Sequence, residues 1–245
     1  MKKIDQYHHL SRYYDEKWGQ WHKNHFPLLN RLLESRCPPV SKILDMGCGT
    51  GALVEHLCSL GHQAEGIDTS AEMIQIARNR NIPHNPFRMQ NMCRFSSDCK
   101  YDLITCTFYS LNYQKQDHLD DLFFSVSMSL NMGGIFMFDS YTENLLKKHH
   151  HGITEHNKGQ SPFREERIYN EKSKTALTRF RFDDETVETH RQYPYGLTDV
   201  LGSIMNAGLY VLYSFGGFND EPYFPESEQL VCVVAKPTYE TRSRS

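Results

Sequence analysis

Apolar positions in the first part of the chain alternate between helical and strand-like spacing. Four of them recur on one helix face: Leu28, Leu29, Leu32 and Leu33. They predict a helix over residues 17–35 that ends at Cys37-Pro38-Pro39. Similar spacing predicts helices over 52–60, over the stretch capped by Thr69 or Ser70, and over 117–130. Short apolar runs predict strands at 42–46, 63–67, 87–89, 101–106 and 135–139. This alternation favours a parallel sheet with helices on both faces.

The pattern changes after residue 140. Turn signals separate three strand-like runs, which are Phe163–Tyr169, Thr175–Phe182 and Thr186–Tyr193. In the middle run Phe180 and Phe182 alternate with Arg179 and Arg181, which gives one apolar and one solvated face. These runs predict an antiparallel meander inserted into the α/β sheet. The α/β pattern then resumes with a helix at 197–207 and strands at 209–215 and 229–235.

The pattern divides the chain into four parts. We expect a core over residues 1–139 whose N-terminal helices form a lid, followed by the antiparallel insertion over 140–195. Residues 196–237 complete the core sheet, and the polar tail over 238–245 is loose.

Composition narrows the classes of protein. The 245 residues are 39% hydrophobic and 23% charged, which suits a single folded domain with a real core. The net charge of −3 argues against DNA as a partner. We expect no membrane partner and no signal peptide, because apolar runs of the required length are absent. The seven irregularly spaced cysteines suggest neither disulfides nor a zinc site, and they favour free thiols in the cytoplasm.

Candidate chemistry begins at the glycine-rich segment from Asp45 to Gly51. Such a segment between a strand and a helix brings the backbone close to a ligand. Its spacing also satisfies the dinucleotide-binding pattern through Ala52, so the segment alone leaves the ligand open. Asp45 can accept hydrogen bonds from loop amides or a ligand amine. Asp68 ends the second strand, where a carboxylate grips a ribose diol, although it can also cap the next helix.

The segment from Ile43 to Gly51 resembles the first motif of class I S-adenosylmethionine (SAM)-dependent methyltransferases. Gly66-Ile67-Asp68-Thr69-Ser70, followed by Met73, is similar to their second motif. Tyr101–Cys106 and Leu130–Ile135 are similar to the fourth strand and to the turn into the fifth. The resemblance covers residues 40–140 and, more loosely, 195–236. It implies a Rossmann-like, seven-stranded, mostly parallel sheet with an antiparallel insertion after strand five.

The resemblance also implies S-adenosyl-L-methionine as the cofactor. The residues that it assigns to cofactor binding are Tyr14, Asp45, Gly47, Cys48, Gly49, Gly51, Asp68, Thr69, Met73, Asn91, Met92 and Thr107. The glycines pass under the methionine part and Asp45 holds its amino group. Asp68 binds the ribose, and Met73, Asn91 and Met92 meet the adenine. Thr107 lies near the sulfonium. Tyr14 resembles a residue that closes over the cofactor, or else it anchors the first helix.

The acceptor is expected to be a small molecule. Thr107-Phe108-Tyr109-Ser110 lacks the proline pair of enzymes that methylate nucleobase or amide nitrogens. The layout, with its insertion after strand five, resembles the small-molecule branch that includes amino-sugar N-methyltransferases. Substrate contacts are expected from Tyr109, Asn112, Tyr113, Asp139, Tyr141, Arg191 and Tyr193. Methyl transfer needs a base only if the nucleophile must lose a proton, and His190 and Tyr14 are the candidates.

Several alternatives stay open. A basic face would favour a protein or tRNA substrate, through Lys147, Lys148, Arg164, Arg167, Arg179 and Arg181. Two other hypotheses for the function are a nicotinamide-dependent oxidoreductase and a non-catalytic SAM-binding module. The sequence allows a homodimer through the meander. His149, His150, His151 and His156 are expected in a solvated loop without a metal, and Trp18, Trp21 and Phe26 as core anchors or a lid.

Overall fold

The computed structural model describes residues 3–4, 6–19, 21–35, 40–156 and 162–238, with the backbone alone for 3–4 and 21–22. Three expectations lie outside these ranges: the helix end at Cys37-Pro38-Pro39, the ring of Trp21, and the tail beyond residue 238.

The described elements follow one another along the chain. The strands are β1 (Lys3–Ile4), β2 (Lys42–Met46), β3 (Gln63–Asp68), β4 (Phe87–Met89), β5 (Tyr101–Cys106), β6 (Leu130–Tyr141), β7 (Gly152–His156), β8 (Phe163–Asn170), β9 (Thr175–Phe182), β10 (Val187–Gln192), β11 (Tyr210–Phe215) and β12 (Gln229–Ala235). The helices are α1 (Ser11–Trp18), α2 (Phe26–Glu34), α3 (Ala52–Ser59), α4 (Ala71–Arg78), α5 (Leu119–Ser129), α6 (Glu143–His149) and α7 (Leu197–Asn206).

The core is a seven-stranded sheet in the order β11-β12-β6-β5-β2-β3-β4. β2 to β6 pair in parallel, and β12 runs antiparallel between β6 and β11. Neighbouring residues of β2 enter different cores: Ile43 packs with α2, α3 and α4, and Leu44 with α5 and α7. Both faces of the sheet are therefore covered by helices, as the apolar strands predict. The expected fold class is confirmed.

The helix expected over 17–35 is divided into three pieces. α1 ends at Trp18, a 3-10 turn covers Trp21–His25, and α2 starts at Phe26. Pro27 lies in the first turn of α2, where its missing N–H costs no hydrogen bond, so the proline starts a new helix. β6 also exceeds its predicted length, since it pairs with β5 from Leu130 onward.

The antiparallel insertion expected after strand five is present, and it builds a second sheet of its own without adding strands to the core sheet. The order is β1-β10-β9-β8-β7, and the N-terminal β1 pairs in parallel with β10. The expected alternation in β9 is confirmed: Phe180 and Phe182 are buried and Arg181 is exposed. Their rings pack with Leu10 and Trp18. The apolar face of the insertion therefore meets the N-terminal segment instead of continuing the core sheet.

The histidine-rich stretch is ordered, and its expected solvated loop is wrong. It contains α6 and β7, where His150 is buried and His156 lies 2.8 Å from a carboxylate oxygen of Glu165. β7 shows no apolar alternation that would predict a strand. It is held by antiparallel hydrogen bonds to β8, and composition does not reveal such a partner. Within the described ranges, no group of three or more His, Cys, Asp or Glu side chains could hold a metal ion.

A search of the described helices finds none that is long and apolar enough to cross a membrane.

We expect Gly51→Ala to destabilise the fold by about 3 kcal/mol, as measured by urea unfolding. Gly51 has a φ of +82°, and an added Cβ would lie 2.6 Å from the Phe87 ring. Gly61→Ala is the matched control, because Gly61 has a φ of +90° with no atom within 4 Å of that Cβ. It should cost only the backbone strain, about 1 kcal/mol. Equal losses in the two variants would contradict the packing argument.

Candidate active site

The loops that follow β2, β3 and β5 meet at the carboxyl ends of the strands and enclose a cavity of about 600 Å³. Ligands of open α/β sheets bind at this edge. The cavity is lined by Gln6, Tyr7, Tyr14, Gly47, Gly49, Asp68, Thr69, Ser70, Ala71, Glu72, Met73, Gln90, Asn91, Met92, Phe108, Ser110, Tyr113 and Gln114. Its volume is typical of a small-molecule site.

Asp68 fixes the glycine loop from the neighbouring strand. The amides of Gly49 and Ser70 donate to its two carboxylate oxygens, at 2.9 and 2.8 Å. Ser70, and not Asp68, caps α4 by accepting a hydrogen bond from the amide of Met73. Burial raises the pKa of Asp68, although these amides oppose the shift. The carboxylate therefore faces the cavity with its position already fixed.

The part of the cavity wall that follows β4 carries a hydrogen-bond acceptor without a partner among the described residues. The side-chain oxygen of Gln90 is buried and has no hydrogen-bond partner among the described residues. Asn91 accepts from the amide of Cys93 at 2.8 Å, which holds Asn91 and Met92 in the cavity wall beside the buried Met73. Because a buried polar atom without a partner is costly, this end of the cavity is suited to a ligand that donates a hydrogen bond, such as an exocyclic amine.

Asp45 lies under the glycine loop beside a smaller cavity of about 50 Å³, which also contacts Cys48 and Thr107. It is 3% exposed and accepts from the Thr105 hydroxyl at 2.8 Å. Burial, with a smaller effect of nearby carboxylates, raises the pKa of Asp45 to about 7. A cationic group bound here would favour the ionised form. Gly51 lies farther along the loop, at the start of α3, and lines none of the cavities described here.

The N-terminal segment closes the site. Tyr14 lines the large cavity and the smaller one, and its pKa is raised well above the usual value by burial, so the phenol stays neutral. Its neighbour Asp15 lies 2.5 Å from both Thr50 and Arg80, so α1 is tied to the glycine loop. His8 lies 2.5 Å from Glu72 at the rim. The segment therefore covers the ligand position.

A third cavity of about 120 Å³ adjoins the large one. Its wall is mainly aromatic and consists of Tyr7, Leu10, Tyr14, Trp18, Phe108, Tyr109, Tyr113, Phe180, His190 and Gln192. Tyr7, Tyr14, Phe108 and Tyr113 belong to the walls of both cavities. Three residues that the sequence analysis assigns to the acceptor side therefore come together here: Tyr109, Tyr113 and His190.

Asp139 supports this wall from behind. It accepts hydrogen bonds from the amides of Phe108 and Tyr109 and pairs with the buried His25. Phe108 and Tyr109 have φ values of 57° and 61°, a left-handed conformation that side chains adopt at a cost. The Asp139 carboxylate therefore holds a strained turn that directs the Phe108 ring between the two cavities.

The other expected substrate contacts lie apart from the cavity walls and stay predictions. Asn112 is fully buried, and its amide nitrogen donates to Ser140 and to the carbonyls of Tyr141 and Tyr193. The Tyr141 ring packs on Tyr109, one layer behind the wall. Arg191 is exposed, since it alternates with His190 along β10. Asn112 and Tyr141 therefore support the loop behind the aromatic wall.

The sequence analysis did not assign several residues of the site, among them Tyr7, Gln90, Phe108 and Glu188. Gln90 directly precedes the Asn91-Met92 pair, and its position after β4 was the available signal. Phe108 follows the Thr107 that was identified. Tyr7 and Glu188 are 181 residues apart and are joined by a hydrogen bond, so no local pattern links them.

We expect the unfolding free energy of Asp45→Asn, relative to that of the wild type, to increase as the pH rises from 5 to 8. The folded chain keeps the Asp45 proton up to about pH 7, whereas the unfolded chain releases it near pH 4. The wild type therefore loses stability across this interval, and the neutral amide does not. The difference in unfolding free energy should change by about 2 kcal/mol in favour of the variant. Urea unfolding at both pH values measures it, and a constant difference would contradict the raised pKa.

Comparison with known proteins identifies the family of this chain. Residues 11–194 match the family model described as a methyltransferase domain. The putative methyltransferase YqeM of Bacillus subtilis is 30% identical over 131 residues, which are 52% of this chain and 49% of that protein. A dTDP-3-amino-3,6-dideoxy-alpha-D-glucopyranose N,N-dimethyltransferase of Streptomyces fradiae is 34% identical over 85 residues, 35% of this chain and 33% of that protein. The chain thus spans about half the length, or less, of these curated relatives.

A crystal structure of an S-adenosylmethionine-dependent methyltransferase from Clostridium acetobutylicum shares the fold. Its TM-score is 0.77 at 22% identity, over 94% of this chain and 99% of that chain. The family model itself covers well over half of the chain. The chain therefore belongs to the methyltransferase domain family and has the class I fold of S-adenosylmethionine-dependent methyltransferases.

Proposed function

We propose that this chain transfers a methyl group from SAM to a nitrogen or oxygen atom of a small molecule. One observation carries the proposal: the large cavity at the strand ends adjoins the aromatic cavity through four shared side chains. A cofactor in the first cavity and an acceptor in the second would meet at this junction. Direct transfer needs the two reactants side by side and water excluded.

The residues present fit the cofactor. Asp68 would accept the ribose hydroxyls, and Asp45 would pair with the ammonium group of the methionine part. The unsatisfied oxygen of Gln90 would accept from the adenine amine. When bound, SAM supplies a methyl group activated by the positive sulfonium. The carboxyl groups of Asp45 and Asp68 lie at the cavities, and a bound cation would favour their ionised forms.

The aromatic wall contributes alignment. Tyr14, Phe108 and Tyr113 surround the junction, so an acceptor atom is held against the cofactor without bulk water. Tyr7 and Tyr113 offer hydroxyl groups that can orient a polar acceptor atom. A primary or secondary amine fits well, because aromatic rings also attract its protonated form on approach.

The relatives support a small-molecule acceptor. The Streptomyces fradiae protein is named for dimethylation of the amino group of a nucleotide-linked sugar, and it is 34% identical to this chain over 85 aligned residues. The aromatic cavity of about 120 Å³ has room for the reacting end of such a molecule. A protein side chain or a tRNA base is the second candidate and is separated from the first by experiment.

Cofactor binding is tested by calorimetric titration with S-adenosylhomocysteine, SAM and NADH. We expect micromolar binding of the first two and none of NADH. Asp68→Asn should weaken binding roughly 100-fold, because two hydrogen bonds to a charged acceptor are lost or weakened. Asp102→Asn is the matched control: Asp102 likewise accepts two backbone amides, those of Ser41 and Lys42, away from the cavities. Binding of NADH without SAM would identify an oxidoreductase instead.

The acceptor is identified by incubating the protein and SAM with a panel of free amino sugars, nucleotide-linked amino sugars, simple amines and phenols. Formation of S-adenosylhomocysteine and of a methylated product is the readout, and turnover of at least one of these small molecules is expected. Cell extract treated with nuclease or protease forms a second arm, in which loss of activity after treatment would favour the macromolecular substrate. Binding without turnover in either arm would leave a non-catalytic binding module.

A further inference from the structure

A hydrogen-bonded chain runs from the junction of the two cavities into the second sheet. The Tyr7 hydroxyl donates to the Tyr113 hydroxyl at 2.7 Å. The Tyr113 hydroxyl lies 2.8 Å from Nδ1 of His190, and Nε2 of His190 lies 2.9 Å from Glu188. Tyr7 and Tyr113 line both cavities, whereas His190 lines only the aromatic one. The chain therefore begins where the acceptor would react and ends on a buried carboxylate.

Glu188 fixes the direction of the hydrogen bonds. It is fully buried and also accepts from the amides of Tyr7, His9 and Leu10. Burial opposes ionisation, but the hydrogen bonds from His190 and these amides hold the pKa of Glu188 below its usual value. As a carboxylate it must accept, so Nε2 of His190 carries the proton. Nδ1 is then left to accept from Tyr113.

The two tyrosines act as carriers and not as the final proton acceptor. Burial raises the pKa of Tyr7 and of Tyr113 well above the ordinary phenol value, so both stay protonated. With Tyr113 donating to His190 and Tyr7 donating to Tyr113, the Tyr7 oxygen keeps free lone pairs for a new donor. The groups that face the His190 ring are Glu188 from its own strand, Tyr113, Tyr7 and the apolar Phe180.

We propose that Tyr7, Tyr113, His190 and Glu188 form a relay that takes the proton which the acceptor loses during methylation. The inference rests on the proposed function. Tyr7 is the catalytic residue that touches the acceptor, and Tyr113 and His190 pass on and store the proton. Glu188 is a positioning residue: it orients His190, stabilises its protonated form, and through three amides holds Tyr7 in place.

When the acceptor is an amine, its lone pair forms the N–C bond while the C–S bond of SAM breaks. The electron pair of the broken C–S bond stays on sulfur. The product ammonium gives one proton to the Tyr7 oxygen, Tyr7 gives its own to Tyr113, and Tyr113 gives its own to Nδ1 of His190. The imidazolium beside Glu188 holds the proton until the site opens to solvent. For a hydroxyl acceptor, the same shift accompanies attack by oxygen.

The kinetic test measures kcat against pH for the first acceptor of the panel that the full chain methylates. We expect His190→Gln to lower kcat about 100-fold and Tyr7→Phe about tenfold. In Glu188→Gln kcat should fall about tenfold while the KM for the acceptor stays within about twofold, because the amide fixes the proton on Nε2 of His190 less firmly than the carboxylate does. Wild-type kcat in His190→Gln, or a loss in Glu188→Gln that falls on KM alone, would overturn the relay.

Two variants serve as matched controls. Tyr13→Phe removes a phenol hydroxyl from the same N-terminal segment, where the ring packs against Phe163 and Phe182 of the second sheet. Glu166→Gln removes a carboxylate of β8 that pairs with Arg179. Both should keep the kcat and the pH profile of the wild type. A loss as large as in Tyr7→Phe and Glu188→Gln would show that the effects are structural.

A spectroscopic experiment tests the hydrogen-bonded relay independently of methyl transfer. If no acceptor in the panel is methylated, the proposed function fails, but this test of the relay still stands. Isotope-labelled histidine is followed by NMR in the complex with S-adenosylhomocysteine, and His190→Gln identifies the His190 signals. We expect the tautomer protonated at Nε2, with an Nδ1 signal that changes in Tyr113→Phe and, through Tyr113, in Tyr7→Phe. A proton on Nδ1, or no response to either variant, would contradict the relay.

Discussion

The closed form of the site depends on the buried carboxylate of Glu188. It accepts three backbone amides of the N-terminal segment and one imidazole, all away from solvent. A buried amide without a partner costs about 1–3 kcal/mol, so loss of this single acceptor would make closure of the segment unfavourable. Tyr7 and Tyr14 reach the cofactor cavity only because the segment lies there. Glu188 therefore connects the second sheet, the N-terminal segment and the wall of the aromatic cavity.

Carboxylates that accept hydrogen bonds from backbone amides also hold the other loops of the site. Asp68 holds the glycine loop, and Asp139 holds the turn at Phe108 and Tyr109. In each case a carboxylate at or near a strand end binds amides that the loop could not pair by itself. Loop geometry and electrostatic character thus have one cause. The side chains that fix the loops also place carboxyl groups where a cofactor with a cationic sulfonium would lie.

Much of the core could be predicted from the sequence, because its signals are local. The apolar strands and the spacing in α5 report burial within a few residues, and the Asp45 and Asp68 motifs each follow a strand directly. The second sheet could not be placed in this way. Its strands β7 and β8 are partly polar, and their stability comes from pairing with each other and with β9. The strand-like runs of β8, β9 and β10 are visible in the sequence, but nothing in a short window distinguishes β7 from a solvated loop.

The residues of the candidate site show the same difference between local sequence signals and long-range contacts. Tyr109, Tyr113 and His190 could be found by their position after a strand or in a meander. Asp139 was expected to touch the acceptor, since it also ends a strand, yet its hydrogen bonds go to the loop backbone. The roles of Tyr7 and Glu188 emerge only when residues 181 positions apart are brought together. Long-range partnership is the information that a single sequence does not display.

The pairing of β1 with β10 sets the order in which the molecule can be completed. Lys3 lies opposite Val187, so the beginning of the chain waits for a strand made much later. During synthesis the core sheet has most of its strands before that partner leaves the ribosome. Until then the rings of Phe163, Phe180 and Phe182 lack the N-terminal segment that covers them. The N-terminal segment can therefore dock only after β10 has been made, and a chain released before that point would hold the five parallel strands of the core sheet without a closed site.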